Sequence, residues 1–309
     1  MGEKTSIAWC TSSWSPWIGC TKVSPGCDGC YAQVLDNRHQ YGGAKHWGPG
    51  VPRYKTKQWG APLTWNKAAA KLGHLQRWTV FPSLCDPFDN EVAGEWRREF
   101  FDLVARTEYL TWLLLTKRIG NAMPMLERHF GAAIPANIWL GASVVNQEEF
   151  DRDVPKLEKF SGVRFLSYEP ALGRIDWFEA LGMWWNSTMQ CIEGTGRAFK
   201  RPVDWVIIGG ESSQGTHRAR PFLLEWARHT VRACQAAGIP VLVKQLGSTI
   251  AVRNDSMEEW PDEDAFCDAI PESYQPAFQG ELVDIRLKDR AGADPAEWPA
   301  DLRVQEFPA

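Results

Sequence analysis

Cys20, Cys27 and Cys30 share one short run, Gly-Cys-Thr-Lys-Val-Ser-Pro-Gly-Cys-Asp-Gly-Cys-Tyr-Ala, in which glycine and proline bend the backbone between them. Thiolates this close can converge on one metal centre. Three readings stand side by side. A structural zinc site takes four ligands; it would recruit Cys10 and contribute folding energy rather than catalysis. Unligated structural cysteines are the second, set against the Cys-x-x-Cys spacing. The third is a 4Fe-4S cluster, which ordinarily takes four thiolates, so that three would leave one iron open for chemistry.

Such a loop needs a frame, and 309 residues can bury a full core as two ordinary domains or one barrel-sized domain. Short apolar runs at 5–9, 78–84, 109–115, 137–144, 163–167, 204–208 and 240–243 read as strands. Stretches of helical periodicity at 30–38, 94–106, 122–130, 148–160 and 222–237 lie between most of them. This alternation predicts α/β units around a parallel sheet, and we expect a partial (β/α) TIM-like barrel over residues 1–250. Two insertions, near 39–76 and 177–202, interrupt it, and residues 251–309 read as an irregular acidic extension.

Polar groups follow strand after strand, and in parallel α/β folds the carboxyl ends of the strands carry the active face. Asp86 follows the second predicted strand, Lys117 and Arg118 the third, Ser143 and Asn146 the fourth, and Glu169 the fifth. Gly209, Gly210 and Glu211 follow the sixth, and Lys244 the seventh. Glu211, Glu169, Lys117 and Asp86 are the candidate catalytic groups, with a structural ion pair as the alternative for Glu211. Gly209, Gly210, Ser143, Asn146, Tyr31 and Lys244 are the candidate cofactor contacts. The lysines suit a carboxylate or phosphate, and glycine lets a ligand approach the backbone. Trp14, Trp17 and Tyr31 can give the cysteine loop an apolar shell, although ordinary packing explains them equally well. Cys85 is a further candidate ligand, a relay thiol or an inert buried thiol. His217, in a basic loop, is a candidate phosphate contact.

Composition narrows the partners. Residues 251–309 hold 15 Asp and Glu against 5 Lys and Arg, whereas residues 1–250 hold 23 against 29, so a mildly basic body carries an acidic tail. A nucleotide or nucleic acid is the partner such a body would meet. No apolar stretch is long enough to span a membrane and no signal peptide opens the chain, so we expect a cytoplasmic protein without a membrane partner. Eight cysteines fit a reducing compartment, where a tight cluster binds metal or does chemistry. Phosphate-loop, His-Glu-x-x-His, nucleophile-elbow and dinucleotide motifs are all missing from the sequence.

A cysteine loop after the first strand, ending in Cys-x-x-Cys before an aromatic residue and a helix, resembles the radical S-adenosylmethionine superfamily, with six residues between the first two cysteines where three are commonest. The runs 14–32, Leu115-Thr-Lys-Arg118, 138–143, 165–170, 204–212 and 243–247, in this order, look like a narrower radical-SAM-like family of bacteriophages and mobile elements, known by its three-cysteine motif. The resemblance covers roughly residues 5–248. It implies a 4Fe-4S cluster on Cys20, Cys27 and Cys30, S-adenosyl-L-methionine at the open iron, and a reductase or flavodoxin-type electron donor. Gly209-Gly210-Glu211 also resembles the element that holds the methionine amino group in those enzymes, but it follows the sixth strand rather than the second, so that role is not carried over. The substrate is left open, with a nucleotide or nucleic-acid base first. The alternative is a non-catalytic nucleic-acid-binding protein stapled by zinc or an inert cluster.

Overall fold

The computed structural model describes residues 2–73, 77–181, 183–186, 191–194, 201–253, 266–269 and 282–308. Parts of both expected insertions and most of the acidic extension lie outside the described residues. In chain order the elements begin with β1 (Ser12–Ser13), β2 (Trp17–Ile18), α1 (Tyr31–His39), β3 (Tyr54–Lys55), α2 (Ala61–Leu72), β4 (Trp78–Phe81), α3 (Gly94–Arg106) and β5 (Leu110–Thr116). There follow α4 (Ile119–Phe130), β6 (Ile138–Ser143), α5 (Gln147–Leu157), β7 (Arg164–Tyr168), α6 (Trp177–Ala180), β8 (Met183–Asn186) and β9 (Cys191–Gly194). The last are β10 (Trp205–Gly209), β11 (Phe222–Leu223), α7 (Leu224–Ala236), β12 (Val241–Gln245), β13 (Ile250–Arg253), β14 (Phe266–Ala269) and β15 (Leu282–Ile285).

Seven strands hydrogen-bond in the order β1-β4-β5-β6-β7-β10-β12. That order follows the chain without reversal, whereas a doubly wound sheet reverses at its switch point. The fold is therefore mixed α/β with a parallel sheet, compatible with a partial (β/α) barrel. The chain divides into two compact units, residues 1–143 with 153–165 and residues 144–152 with 166–309.

In the first unit β1, β4, β5 and β6 are parallel neighbours. β5 and β6 are apolar on both faces, as strands covered on both sides must be: Leu113, Leu114 and Leu140 have no exposed surface. Trp112 meets Trp14 and Phe100 edge to face at ring separations of 6.0 and 5.4 Å, Trp14 lies tilted on Phe100 at 6.2 Å, and Trp17 is set edge to face against Phe100. Gly141 is bare because a Cβ there would sit 2.3 Å from the Phe165 ring.

The first strand is Ser12–Ser13 rather than the predicted 5–9. Two serines lack an apolar signature, but Ser12 is fully buried with its hydroxyl donating to the Glu3 carbonyl and accepting from the Trp78 indole. Trp9, the buried apolar residue of the predicted run, packs its ring on Phe81 instead. The first expected insertion also carries structure, because β3 pairs with β2 and α2 follows it.

In the second unit β10 is wholly buried and pairs in parallel with β12. β11, β13, β15 and β14 form a second sheet, and β8 pairs with β9. Strands β13 to β15 lie in the stretch expected to be irregular. The far end of the chain is also built in: Trp298 and Leu302 are fully buried, and Gln305 bridges antiparallel to Leu242 of β12.

His229 on α7 gives this unit a pH dependence. Burial, with help from Arg174 and Arg232 and against Asp176, holds its imidazole down to about 4, from an ordinary value near 6.5. Below pH 6.5 the unfolded chain therefore binds more protons than the folded one. Stability should be full above that value and fall as the pH drops toward 4. Urea titrations between pH 7.5 and 4.5 should show this decline, and His229→Gln should flatten it; an unchanged slope in that variant would refute the assignment.

Candidate metal and cofactor site

Each unit carries its own cluster of polar strand ends. In the first, the backbone leaves β2 through Gly19 at φ +118, and a Cβ there would sit 2.3 Å from the His46 carbonyl. Cys20 follows. Ser24 caps a short 3-10 turn, Pro25–Cys27, by accepting from Gly26 N–H, and Cys30 stands at the N-cap of α1. Burial raises the Cys30 thiol, while the amides of Ala32 and Gln33 and the charge of Lys117 favour its thiolate, without a full capping bond from its side chain. Helix amino termini act on thiolates in this way.

The inner side of the loop is held by cations. Arg118, directly after β5, donates from Nη1 to Cys20 Sγ at 3.3 Å and to Asp86 Oδ2 at 3.0 Å, and from Nη2 to the Thr21 carbonyl at 2.5 Å. Thr116 Oγ1 donates to Asp86 Oδ1 at 2.7 Å, so the acid is aimed from the same strand end. Burial and the carboxylates of Asp86 and Asp89 push the Cys20 thiol up to about 12 against the pull of Arg118. Cys85 lies in the same field: it bridges to Gly19, and burial, Asp86 and Cys20 raise its thiol.

Arg53 anchors the outer side as a buried cation that no motif marks. It is 1% exposed, pairs through Nε with Asp89 Oδ2 at 2.8 Å, and donates to the carbonyls of His46, Gly48 and Val51 and to Thr21 Oγ1. Thr21 in turn donates to Glu91. One guanidinium thus ties the inserted loop to the cysteine loop.

Of the other expected residues in this unit, Lys117 donates to Ser143 Oγ at 2.6 Å, which joins the ends of β5 and β6. Tyr31 donates its hydroxyl to the Ser83 carbonyl at 2.7 Å while its ring is 39% exposed. Trp14 and Trp17 are buried in the core of the unit.

In the second unit Lys244 Nζ lies 3.0 Å from Glu169 Oε1, and Ser167 donates to the other carboxylate oxygen at 3.2 Å. Gly209 is bare because a Cβ would come 2.9 Å from Glu169 Oε1, and at Gly210 it would come 2.3 Å from the Leu246 carbonyl. Internal packing thus accounts for both glycines. Glu211 is gripped by Arg220, whose Nε and Nη2 reach its two oxygens at 2.9 and 2.7 Å, and by His217 at 3.1 Å. Burial works against its charge, but Arg220 and His217 outweigh that and hold its carboxyl below the usual range. The ion-pair alternative is what this geometry displays for Glu211, with His217 drawn into it. Asn146 accepts from the Glu149 amide at 3.0 Å and so caps the first turn of α5. Arg220 carries no motif that would have singled it out.

The profile of a family described as "Protein of unknown function (DUF5131)" matches residues 4–291. The chain belongs to this family. No curated protein and no solved structure matches it.

Whether the DUF5131 chain can hold a cluster is a question of donors and enclosure. Among the described residues no group of three or more His, Cys, Asp or Glu side chains is gathered to hold a metal ion. The donor chemistry nonetheless fits: three soft sulfur ligands lie half-buried on one loop, a helix amino terminus favours one thiolate, and a guanidinium N–H is already directed at another sulfur. Among the same residues no helix is long and apolar enough to cross a membrane.

Proposed function

We propose that the chain is a radical S-adenosylmethionine enzyme in which Cys20, Cys27 and Cys30 hold a 4Fe-4S cluster. The observation that carries this reading is the contact of Arg118 with Cys20, because it brings a three-cysteine loop to the strand ends that also bear Asp86, Lys117 and Ser143. When bound, the cluster supplies the electron that cleaves S-adenosyl-L-methionine to methionine and a 5'-deoxyadenosyl radical. Burial holds the thiols of Cys20 and Cys30 up in the metal-free chain, so both would release protons on ligation. Lys117, held by Ser143, offers an ammonium to an anionic group of the cofactor. Ile18, Ala32 and Leu84 pack against Cys30 and back the loop with apolar surface. In the second unit Lys244 and Glu169 form a pair able to bind an anion or pass a proton. The mildly basic body favours a nucleotide or nucleic-acid base as substrate, and a reductase or flavodoxin-type protein would deliver the electron.

Anaerobic reconstitution followed by iron and sulfide assay, then dithionite and S-adenosylmethionine, should yield 5'-deoxyadenosine. Cys27→Ala should abolish both the visible absorption and the cleavage, and Cys10→Ala should leave both intact. Stoichiometric zinc in natively purified protein, with no cleavage, would instead support the non-catalytic metal-stapled alternative.

A further inference from the structure

Arg118 does more than support a loop. Its Nη1 stands between two acceptors of unlike chemistry, the carboxylate of Asp86 at 3.0 Å and the sulfur of Cys20 at 3.3 Å. Its side chain is 10% exposed and that of Asp86 8%, so solvent screens the three groups poorly. Both ends of the arrangement are fixed. Asp86 accepts from Thr116 Oγ1 at 2.7 Å and from the Phe88 amide at 2.9 Å; the Arg118 backbone amide donates to the same threonine oxygen at 2.8 Å; and Nη2 is held by the Thr21 carbonyl. A second acid, Asp89, lies 3.9 Å from Nη2 but is already paired with Arg53. The sulfur of Cys20 therefore meets one cation, Arg118, and the carboxylate joined to it, Asp86, both aimed by the end of β5, with the Arg53-paired Asp89 as a weaker second anion.

A cluster gains negative charge on reduction, and N–H donors and cations beside its sulfurs favour the reduced state while nearby carboxylates oppose it. From this geometry we infer that Arg118 is a positioning residue which, as a matched pair with Asp86, sets the reduction potential of a cluster bound through Cys20. The inference rests on the cluster reading above. Its two halves carry opposite signs. Without the guanidinium, Asp86 faces the cluster unopposed and reduction becomes harder. Without the carboxylate charge, Arg118 acts alone and reduction becomes easier. Lysine keeps the charge but cannot fork to sulfur, carboxylate and carbonyl together.

The test is a redox titration of reconstituted wild type, Arg118→Met, Arg118→Lys, Asp86→Asn and the Arg118→Met/Asp86→Asn double variant, followed by the signal of the reduced cluster in electron paramagnetic resonance. Iron content and far-ultraviolet circular dichroism are measured on each protein. The midpoint should shift to more negative potential in Arg118→Met and to more positive potential in Asp86→Asn. It should return toward wild type in the double variant, with Arg118→Lys between wild type and Arg118→Met. Shifts of one sign in both single variants, or none, in proteins that load iron like wild type overturn the inference while leaving the cluster reading intact. Wild type that takes up no iron and sulfide overturns both. Should Arg118→Met fail to fold, the sign of the shift in Asp86→Asn decides.

Discussion

Arg53→Met should lower the unfolding free energy by about 3–5 kcal/mol, the range for removing one partner of a buried ion pair. The cause is the carboxylate left behind. Asp89 is 1% exposed and Arg53 is its closest cation; Arg118, at 3.9 Å, is engaged with Asp86 and Cys20. Methionine keeps most of the volume, so the loss reports charge and hydrogen bonds rather than a cavity. The substitution also frees the carbonyls of His46, Gly48 and Val51. Adding Asp89→Asn should recover part of the loss, since neighbours within one network are not additive. Guanidinium unfolding followed by tryptophan fluorescence measures both. A loss below about 1 kcal/mol would place Arg53 among ordinary surface pairs.

Deleting residues 303–309 should destabilise the second unit and make the protein self-associate. Val304, Gln305 and Glu306 run along β12: Val243 N–H donates to the Val304 carbonyl at 2.9 Å and Glu306 N–H to the Val241 carbonyl at 3.0 Å. Glu306 also accepts from Val241 N–H through its side chain and from the Trp205 indole through its carbonyl. Each buried group left without a partner costs about 1–3 kcal/mol, so a loss of about 3 kcal/mol or more is expected. The bared strand opens with the buried apolar run Val241-Leu242-Val243, the kind of edge that pairs with another chain. Thermal unfolding should shift downward and light scattering should rise with protein concentration. A truncated chain as stable and monodisperse as the full one would show that the terminal segment does not seal the edge.

What the sequence revealed of this architecture depended on whether burial left a hydrophobic signature. Leu110–Thr116, Ile138–Ser143 and Trp205–Gly209 are covered on both faces and read as strands at once. Ser12–Ser13 does not, because its burial is satisfied by hydroxyl hydrogen bonds that no apolar pattern records. Helix α2 starts with Ala-Pro-Leu inside a stretch rich in glycine, proline and tryptophan, which masks its periodicity. Position at a strand end drew attention to Asp86, Lys117, Ser143, Glu169 and Lys244, and the fold pairs Asp86 with Arg118, Lys117 with Ser143 and, in the second unit, Glu169 with Lys244. It could not tell which polar groups the fold consumes: Glu211 with Arg220, or Asn146 capping α5. Arg53 and Arg220 escaped notice because a buried arginine in a loop looks, in sequence, like any solvated one.

The supports of the cysteine loop come from far along the chain. Thr21 is held by Arg53 and Glu91, 32 and 70 positions away, and Cys20 by Arg118, 98 positions away. Contacts of such separation form only after long loops have closed. On a ribosome, the thiols emerge long before the residues that frame them, so the loop acquires its shape only once β5 has been made and docked. A metal taken up by this loop, as proposed, would therefore load late and complete a folded unit, unlike the small zinc modules whose folding the metal itself drives.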